Sequence, residues 1–290
     1  MSKTITKFDS KTRPRVFVLS SADQRPHLVA EIAKLRPVIE EHVDIVGEDS
    51  DFSDAINAAD TDFVIVLGGD GSILRAAKRF GNNQIPVLGV NLGKLGFLAD
   101  IRPEALGAAL KAIAKNEYRY VDHLMLNLQV FRDDKKISEN LGLNEVAILG
   151  GPPFAIQLID LYVDGLLATS YTCDGLIIST PVGSTAHNLS AGGPILRKDL
   201  QAFVISPISP HTLSVRPVVD TADRVYEFVV TRPNASTSVV LDGQTITKLE
   251  STDRVRVVRD KSVFQLIEVT GNNYYSTLRE KLGWNGEFKK

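Results

Sequence analysis

Cysteine is nearly missing from this chain, and so is any long apolar run. Cys173 is the one thiol, which excludes an intrachain disulfide framework and a Cys-rich zinc site and fits a reducing cytoplasm. No apolar stretch approaches the ~20 residues that span a bilayer. Residues 1 to 15 carry Lys3, Lys7, Lys11, Arg13 and Arg15 with no apolar run behind them, so neither a secretory signal nor a membrane span is expected. A basic excess is lacking too: 33 Lys plus Arg face 35 Asp plus Glu, a net charge of −2. Bulk attraction to nucleic acid or to an acidic membrane surface is therefore excluded, and any anionic ligand must be held by local geometry. There are no internal repeats or low-complexity segments. What is present is 290 residues, 43% hydrophobic and 23% charged, an ordinary globular composition. At roughly 100–200 residues per domain this length favours two domains.

The first part of the chain alternates strand and helix signals. Arg15 to Ser20 reads as a buried strand. Leu28, Ile32, Leu35 and Ile39 recur at helical spacing, with Pro37 expected to kink or shorten that helix. Val43 to Val46 suggests a second strand, and the acidic stretch from Glu48 to Asp62, with Asp49, Asp51, Asp54 and Asp60, reads as a solvated loop and helix face. Phe63 to Leu67 is continuously apolar, as expected of a parallel strand covered on both faces, and runs into GGDGS and a helix, SILRAAKRF. Ile85 to Val90 repeats the strand pattern, and Pro103 suits the first position of another helix. Such alternation predicts an open parallel sheet with helices on its faces. From about Tyr118 to Val269 strand follows strand, among them ISENLGLNEVAIL, RVRVV and SVFQLIEV, with hairpin signals at Asp164-Gly165 and Asp242-Gly243. This predicts a second, β-rich domain. Tyr274 to Trp284 reads as a helix whose Tyr274, Leu278 and Leu282 share one face that needs a partner surface.

Several chemistries lack their motifs. The five histidines, at 27, 42, 123, 187 and 211, are never four apart, so no HExxH helix exists; there is no G-x-S-x-G elbow and no Walker A loop. G-x-G-x-x-G is absent after the first strand, which weakens a dehydrogenase reading. The leading candidate is Gly68-Gly69-Asp70-Gly71-Ser72. Glycines at a strand end let the backbone approach a ligand closely, and the helix start offers free N–H groups to a phosphate. Asp70 in such a cradle would orient a metal or accept a proton from an attacking hydroxyl; alone, it is more simply a turn residue or helix cap. The second candidate is Asp174 to Pro194, rich in small residues and hydroxyls that leave room for a ligand; alone, it is as readily a capped helix with a glycine-rich end. Asn144-Glu145, polar within a strand-like segment, suggests a ligand with donors such as a nucleoside, or else exposed edge residues.

Taken together, GGDGS at 68 to 72, Asn144-Glu145, DGLIISTPVGSTAHNLSAGGPIL at 174 to 196 and LREKLGW at 278 to 284 resemble the NAD kinase family, nearly from Arg15 onward. The resemblance implies an α/β N-terminal domain with an open, Rossmann-like parallel sheet (1–117), a β-rich dinucleotide-binding domain (118–271), and a C-terminal helix (272–290) returning to the first. It implies ATP-dependent phosphorylation of the adenosine-ribose 2′-hydroxyl of NAD, with Mg²⁺ or another divalent metal bound mainly through phosphates, in a cytoplasmic homodimer or homotetramer. Asp70 matches the proposed catalytic proton acceptor. Gly69, Gly71, Ser72 and Arg75 match positions around the substrates, Asn144 and Glu145 the pair holding nucleoside groups, and Asp174 the acid at the nicotinamide end. Thr185, Ala186, His187, Asn188 and Ser190 match the loop around the dinucleotide, and Gln244 a further contact. Three residues depart from the family pattern: Ser72 where Thr is common, His187 where Tyr is usual, and Thr172 where an Arg often sits. The last removes a cation near the ligand. Two other readings share features: a GGDG-type lipid kinase of the diacylglycerol kind, and a dinucleotide sensor without catalysis.

Overall fold

The computed structural model describes residues 13–20, 28–53, 56–93, 96–269 and 274–283. Lys3, Lys7, Lys11, His27, Asp54, Trp284 and the side chain of Tyr274 lie outside the described residues. Two compact units are present: Met1–Asp122 with Gln265–Lys290, and His123–Phe264.

The first unit contains β1 (Arg15–Ser20), α1 (Val29–Glu40), β2 (Asp44–Asp49), β3 (Phe63–Gly68), α2 (Asp70–Phe80), β4 (Val87–Asn91), a 3₁₀ turn at Pro103–Ala105 and α3 (Leu106–Ala114). Its strands run in the order β2-β1-β3-β4, all parallel, as the alternating pattern predicts. Every residue of β3 is buried, because both faces of a parallel strand are covered. Helix α2 buries Ile73, Ala76, Ala77 and Phe80, the spacing of one helical face. It stops at Gly81, whose φ of 54° suits glycine. Val16, Phe63, Ile65, Leu88, Leu110 and Ile267 belong to the core of this unit. Near the end of the chain, Leu266 pairs in parallel with Val87, and a helix at Tyr274–Leu282 follows.

Three expectations for this unit change. Helix α1 runs through Pro37 to Glu40, because the proline lies in the last turn, where the Glu41 N–H still reaches the Pro37 carbonyl at 3.1 Å. Asp49 is not solvated: it is 8% exposed and pairs with Arg79 at 2.6 Å. In the C-terminal helix Leu278 is buried, but Leu282 is 40% exposed at the last turn.

The second unit carries β5 (Tyr118–Arg132, from His123 on), β6 (Lys135–Gly142), β7 (Glu145–Leu149), β8 (Gln157–Val163), β9 (Leu166–Cys173), β10 (Gly175–Ser179), the short α4 (His187–Ser190), β11 (Ala202–Ile208), β12 (Val218–Thr221), β13 (Tyr226–Val230), β14 (Ser238–Leu241), β15 (Gln244–Lys248) and β16 (Arg254–Val269, to Phe264). One sheet has the order β12-β11-β10-β7-β14-β15; in the other, β16-β13-β8-β9 are neighbours and β5 pairs with β16 and β6. Leu126, Ile148, Ile178, Phe203, Tyr226 and Val255 share its core. Asp164-Gly165 and Asp242-Gly243 have positive φ at both positions and close two-residue hairpins, as predicted.

ISENLGLNEVAIL is two strands, broken at Leu143 and Asn144, whose N–H groups turn toward Asp242. RVRVV and SVFQLIEV belong to the single strand β16, with Asp260 and Lys261 inside it. Strands β9, β11, β12 and β15 carry too little apolar alternation, or a proline in the case of Pro207, to be read from the sequence.

Candidate active site

In the first unit the GGDGS turn joins β3 to α2. Gly69 is extended, with φ −117° and ψ −170°, and its carbonyl accepts the N–H groups of Ser72 at 2.9 Å and Ile73 at 3.3 Å. The amides of Asp70 and Gly71 are then the donors that an α-helix cannot satisfy at its own start. Gly71 is exposed and Ser72 buried.

The Asp70 carboxylate is gripped by a neighbouring loop. Its Oδ2 accepts the N–H of Phe97 at 2.7 Å, and its Oδ1 accepts those of Leu98 and Ala99, each at 3.0 Å. Hydrogen bonds to an ionised acceptor are worth about 1.5–3 kcal/mol each. A Cβ on Gly96 would lie 2.0 Å from Asp70 Oδ1, so only glycine permits this approach. The same loop is tied from below by the buried Asn91, which accepts the Gly93 N–H at 2.7 Å and donates to the Ala99 carbonyl at 3.1 Å. Asn91 and Gly96 were not singled out from the sequence; the repeated glycines of NLGKLGF were the available signal.

Arg75 reaches from α2 to a loop, donating to the Asp51 carbonyl at 2.7 Å and lying 4.2 Å above the centroid of the Phe52 ring. That loop is shaped by Asp49, whose Oδ1 accepts the N–H groups of Asp51 and Phe52 at 2.8 and 2.9 Å. Phe52 has φ 63°, a strained value for a bulky residue. Among the described residues no three His, Cys, Asp or Glu side chains gather in a way that could hold a metal.

In the second unit Asp242, from the β14–β15 hairpin, organises Asn144 and Glu145. Its Oδ1 accepts the N–H groups of Asn144 at 2.7 Å and Glu145 at 3.1 Å, and its Oδ2 accepts that of Leu143 at 2.9 Å. The sequence marked Asp242 only as a turn residue. Glu145 itself is 6% exposed and its Oε2 has no partner. Burial first, then the nearby Asp242 charge, pushes its carboxyl up to about 8, partly opposed by the His187 N–H. It is therefore largely a neutral acid at pH 7.

The segment after β10 folds back on this pair. Thr180 donates its N–H to the Asn144 carbonyl at 2.9 Å and its hydroxyl to that of Leu143 at 2.6 Å. Gly183 passes so close that a Cβ would sit 2.2 Å from the Asn144 carbonyl oxygen. Asn188 is fully buried: its amide donates to Ser184 and Pro194 carbonyls at 3.0 Å, and its oxygen accepts from Ser206 at 2.6 Å. Its side chain holds the loop. Thr185, Ala186 and His187 are partly exposed, and Ser190, Thr172 and Gln244 are exposed. Asp174 is half-exposed, with His211 Nε2 at 3.6 Å from its Oδ1; His211 had no assigned role in the sequence reading.

Residues 8–118 match the model of the ATP-NAD kinase N-terminal domain, and residues 143–269 that of the ATP-NAD kinase C-terminal domain. The chain is 54% identical over 273 residues to an NAD kinase of Rhodopirellula baltica, covering 94% of this chain and 88% of that one. It is 41% identical over 224 residues to an NAD kinase of Pseudomonas putida, covering 77% and 76%. Among solved structures, an NAD kinase from Archaeoglobus fulgidus in complex with ATP has a TM-score of 0.70 at 26% identity, covering 93% of this chain and 97% of that one. Yeast NADH kinase complexed with NADH has a TM-score of 0.77 at 22% identity, covering 95% and 89%, a likeness of fold. Neither a lipid kinase nor a sensor is needed to account for both halves: the chain belongs to the ATP-NAD kinase family and has its NAD kinase activity.

Proposed function

We propose that Asp70 is the catalytic group of the NAD kinase reaction in this chain. The 2′-hydroxyl of the adenosine ribose of NAD attacks the γ-phosphorus of ATP, an O–P bond forms, the bond to the β,γ-bridging oxygen breaks, and ADP leaves with the electron pair. Asp70 aligns that hydroxyl and takes its proton. The observation that carries this reading is the grip of three backbone N–H groups on the Asp70 carboxylate. A carboxylate fixed in this way is oriented before substrate arrives, and phosphoryl transfer asks for positioning more than for base strength.

The amides of Asp70 and Gly71, at the start of a helix of 11 residues, meet phosphate oxygens, with Gly69, Ser72 and Arg75 around them. Mg²⁺ or another divalent ion would be held mainly through the phosphates and would neutralise their charge; such ions favour phosphate oxygens and water with one or two carboxylates, which suits a glycine turn with a single acid. In the second unit Asn144 and Glu145 take nucleoside groups of NAD, a reading supported by the buried, unpartnered Glu145 oxygen. Thr185, Ala186, His187 and Ser190 border the dinucleotide, Asn188 holds their loop, Gln244 adds a contact, and Asp174 beside Thr172 takes the nicotinamide end.

The domain limits proposed are 1–117 with the returning helix 272–290, and 118–271. The ion pair of Arg102 with Glu280, and Lys281 at 3.9 Å from the centroid of the Phe97 ring, support that return. A cytoplasmic homodimer or homotetramer fits the buried Cys173 and the last strand of its sheet, β9, which exposes Leu166 and Leu167. Incubation with ATP, Mg²⁺ and NAD yields NADP, and with diacylglycerol yields no phosphatidate. Asp70→Asn abolishes turnover and largely spares NAD binding; near-normal turnover in that variant sinks the assignment.

A further inference from the structure

We propose that His211 is a specificity-determining residue, setting the charge beside Asp174 and with it the choice between oxidised and reduced dinucleotide. This rests on the reading that Asp174 faces the nicotinamide end.

The two side chains are brought together by backbone. Strand β10 begins opposite the end of β11, with Gly175 registered against Ile208, and the Asp174 N–H donates to the Ile208 carbonyl at 3.0 Å. Ser209 then takes a positive φ of 45°, and the His211 N–H donates to the Thr172 carbonyl at 2.9 Å. His211 is thus anchored to one flank of Asp174 while Asp174 is anchored to the strand that delivers His211. Its Nε2 lies 3.6 Å from Asp174 Oδ1, and both side chains stay half-exposed, within reach of a ligand. Among the described residues His211 is the one basic side chain within ion-pair distance of Asp174. Thr172, on the other side of the same backbone bond, brings no charge.

The chemistry of the two dinucleotides differs at one ring. Oxidised nicotinamide carries a positive charge, and the reduced ring is neutral. A bare carboxylate attracts the first and not the second, whereas a cation beside the carboxylate offsets that attraction. At 3.6 Å, an ion-pair distance, a protonated imidazole offsets the Asp174 charge, so His211 lowers the selectivity for NAD over NADH that Asp174 alone would give.

The test compares kcat/KM for NAD and for NADH in the full chain, with ATP and Mg²⁺ saturating. His211→Gln keeps a donor without charge and raises the NAD:NADH ratio by about two- to fivefold, the range for a half-exposed charge pair. His211→Lys lowers the ratio by a similar factor. Asp174→Asn alone shifts preference toward NADH, and in that background His211→Lys still disfavours NAD, because a cation repels the oxidised ring directly. Equal changes for both substrates in the His211 variants make His211 a mere loop support and overturn the proposal. If Asp174→Asn leaves the ratio unchanged while the His211 variants still move it, the nicotinamide reading of Asp174 fails and the proposal falls with it.

Discussion

Gly96→Ala places one methyl group against the Asp70 carboxylate. The new Cβ would stand 2.0 Å from Asp70 Oδ1 and 3.0 Å from the Ala99 carbonyl oxygen, whereas ordinary contact begins at 3.4 Å. The carboxylate must therefore retreat by about 1.4 Å, because the loop on the other side is pinned by Asn91. Such a retreat breaks the bonds from Leu98 and Ala99 to Oδ1, each worth about 1.5–3 kcal/mol as a charge-assisted bond. A misplacement near 1 Å costs about 100-fold in rate, so kcat falls by about that factor. The KM for NAD changes little, since the groups proposed to hold the nucleoside and nicotinamide ends lie in the second unit and Gly96 in the first. Steady-state kinetics, with circular dichroism to confirm the fold and Asp70→Asn as the reference for complete loss, reads this out. A Gly96→Ala protein with wild-type kcat would refute the idea that the Phe97–Ala99 amides hold Asp70 for catalysis.

Other outcomes follow from the same geometry. Because Glu145 titrates at about 8 in the fold and at 4.5 in the unfolded chain, the native state holds the extra proton between those values. Stability of the ligand-free enzyme therefore declines as pH rises from 4.5 to about 8 and levels off above. In Glu145→Gln that decline is removed, which Tm against pH detects. Asp242→Ala strips acceptors from three backbone N–H groups, each costing about 1–3 kcal/mol if left buried and unpaired; Tm drops and the KM for NAD rises. Gly183→Ala drives a Cβ into the Asn144 carbonyl oxygen, an overpacking of about 1–3 kcal/mol or more, visible as a lower Cm in urea. Arg79→Ala removes the 2.6 Å ion pair of the buried Asp49 carboxylate, a loss of up to about 3 kcal/mol, measured by the same unfolding curve.

The parallel sheet was readable because β3 is apolar throughout and ends in glycines around one acid, a combination few other local structures tolerate. Residue type drew notice to Asp70, Asn144 and Glu145, and only the family resemblance gave them roles. What holds them did not. Asp242 looked like a hairpin aspartate, and nothing local says that its carboxylate reaches back about a hundred positions to three amides. The amides that grip Asp70 are backbone groups of Phe97, Leu98 and Ala99, and a donor common to nearly all residues leaves no trace in side-chain identity. Asn188 shows the converse: the family resemblance placed it at the dinucleotide, while burial turns its amide toward Ser184, Pro194 and Ser206. Strand β11 was hidden by Pro207, which pairs opposite Leu176 at the far end of the ladder.

The discontinuity of the first unit bears on how the chain comes to be made. Its core includes Ile267 and Leu278 as well as Val16 and Phe63, so the part synthesised first completes its core only after residues 267–278 have emerged. The segment His123–Phe264 is continuous and can complete its own core earlier, although it comes second in the sequence. The usual order, in which N-terminal domains finish folding first during synthesis, is inverted. Until then the GGDGS turn sits in a sheet that has β1 to β4 but lacks the pairing of Leu266 with Val87.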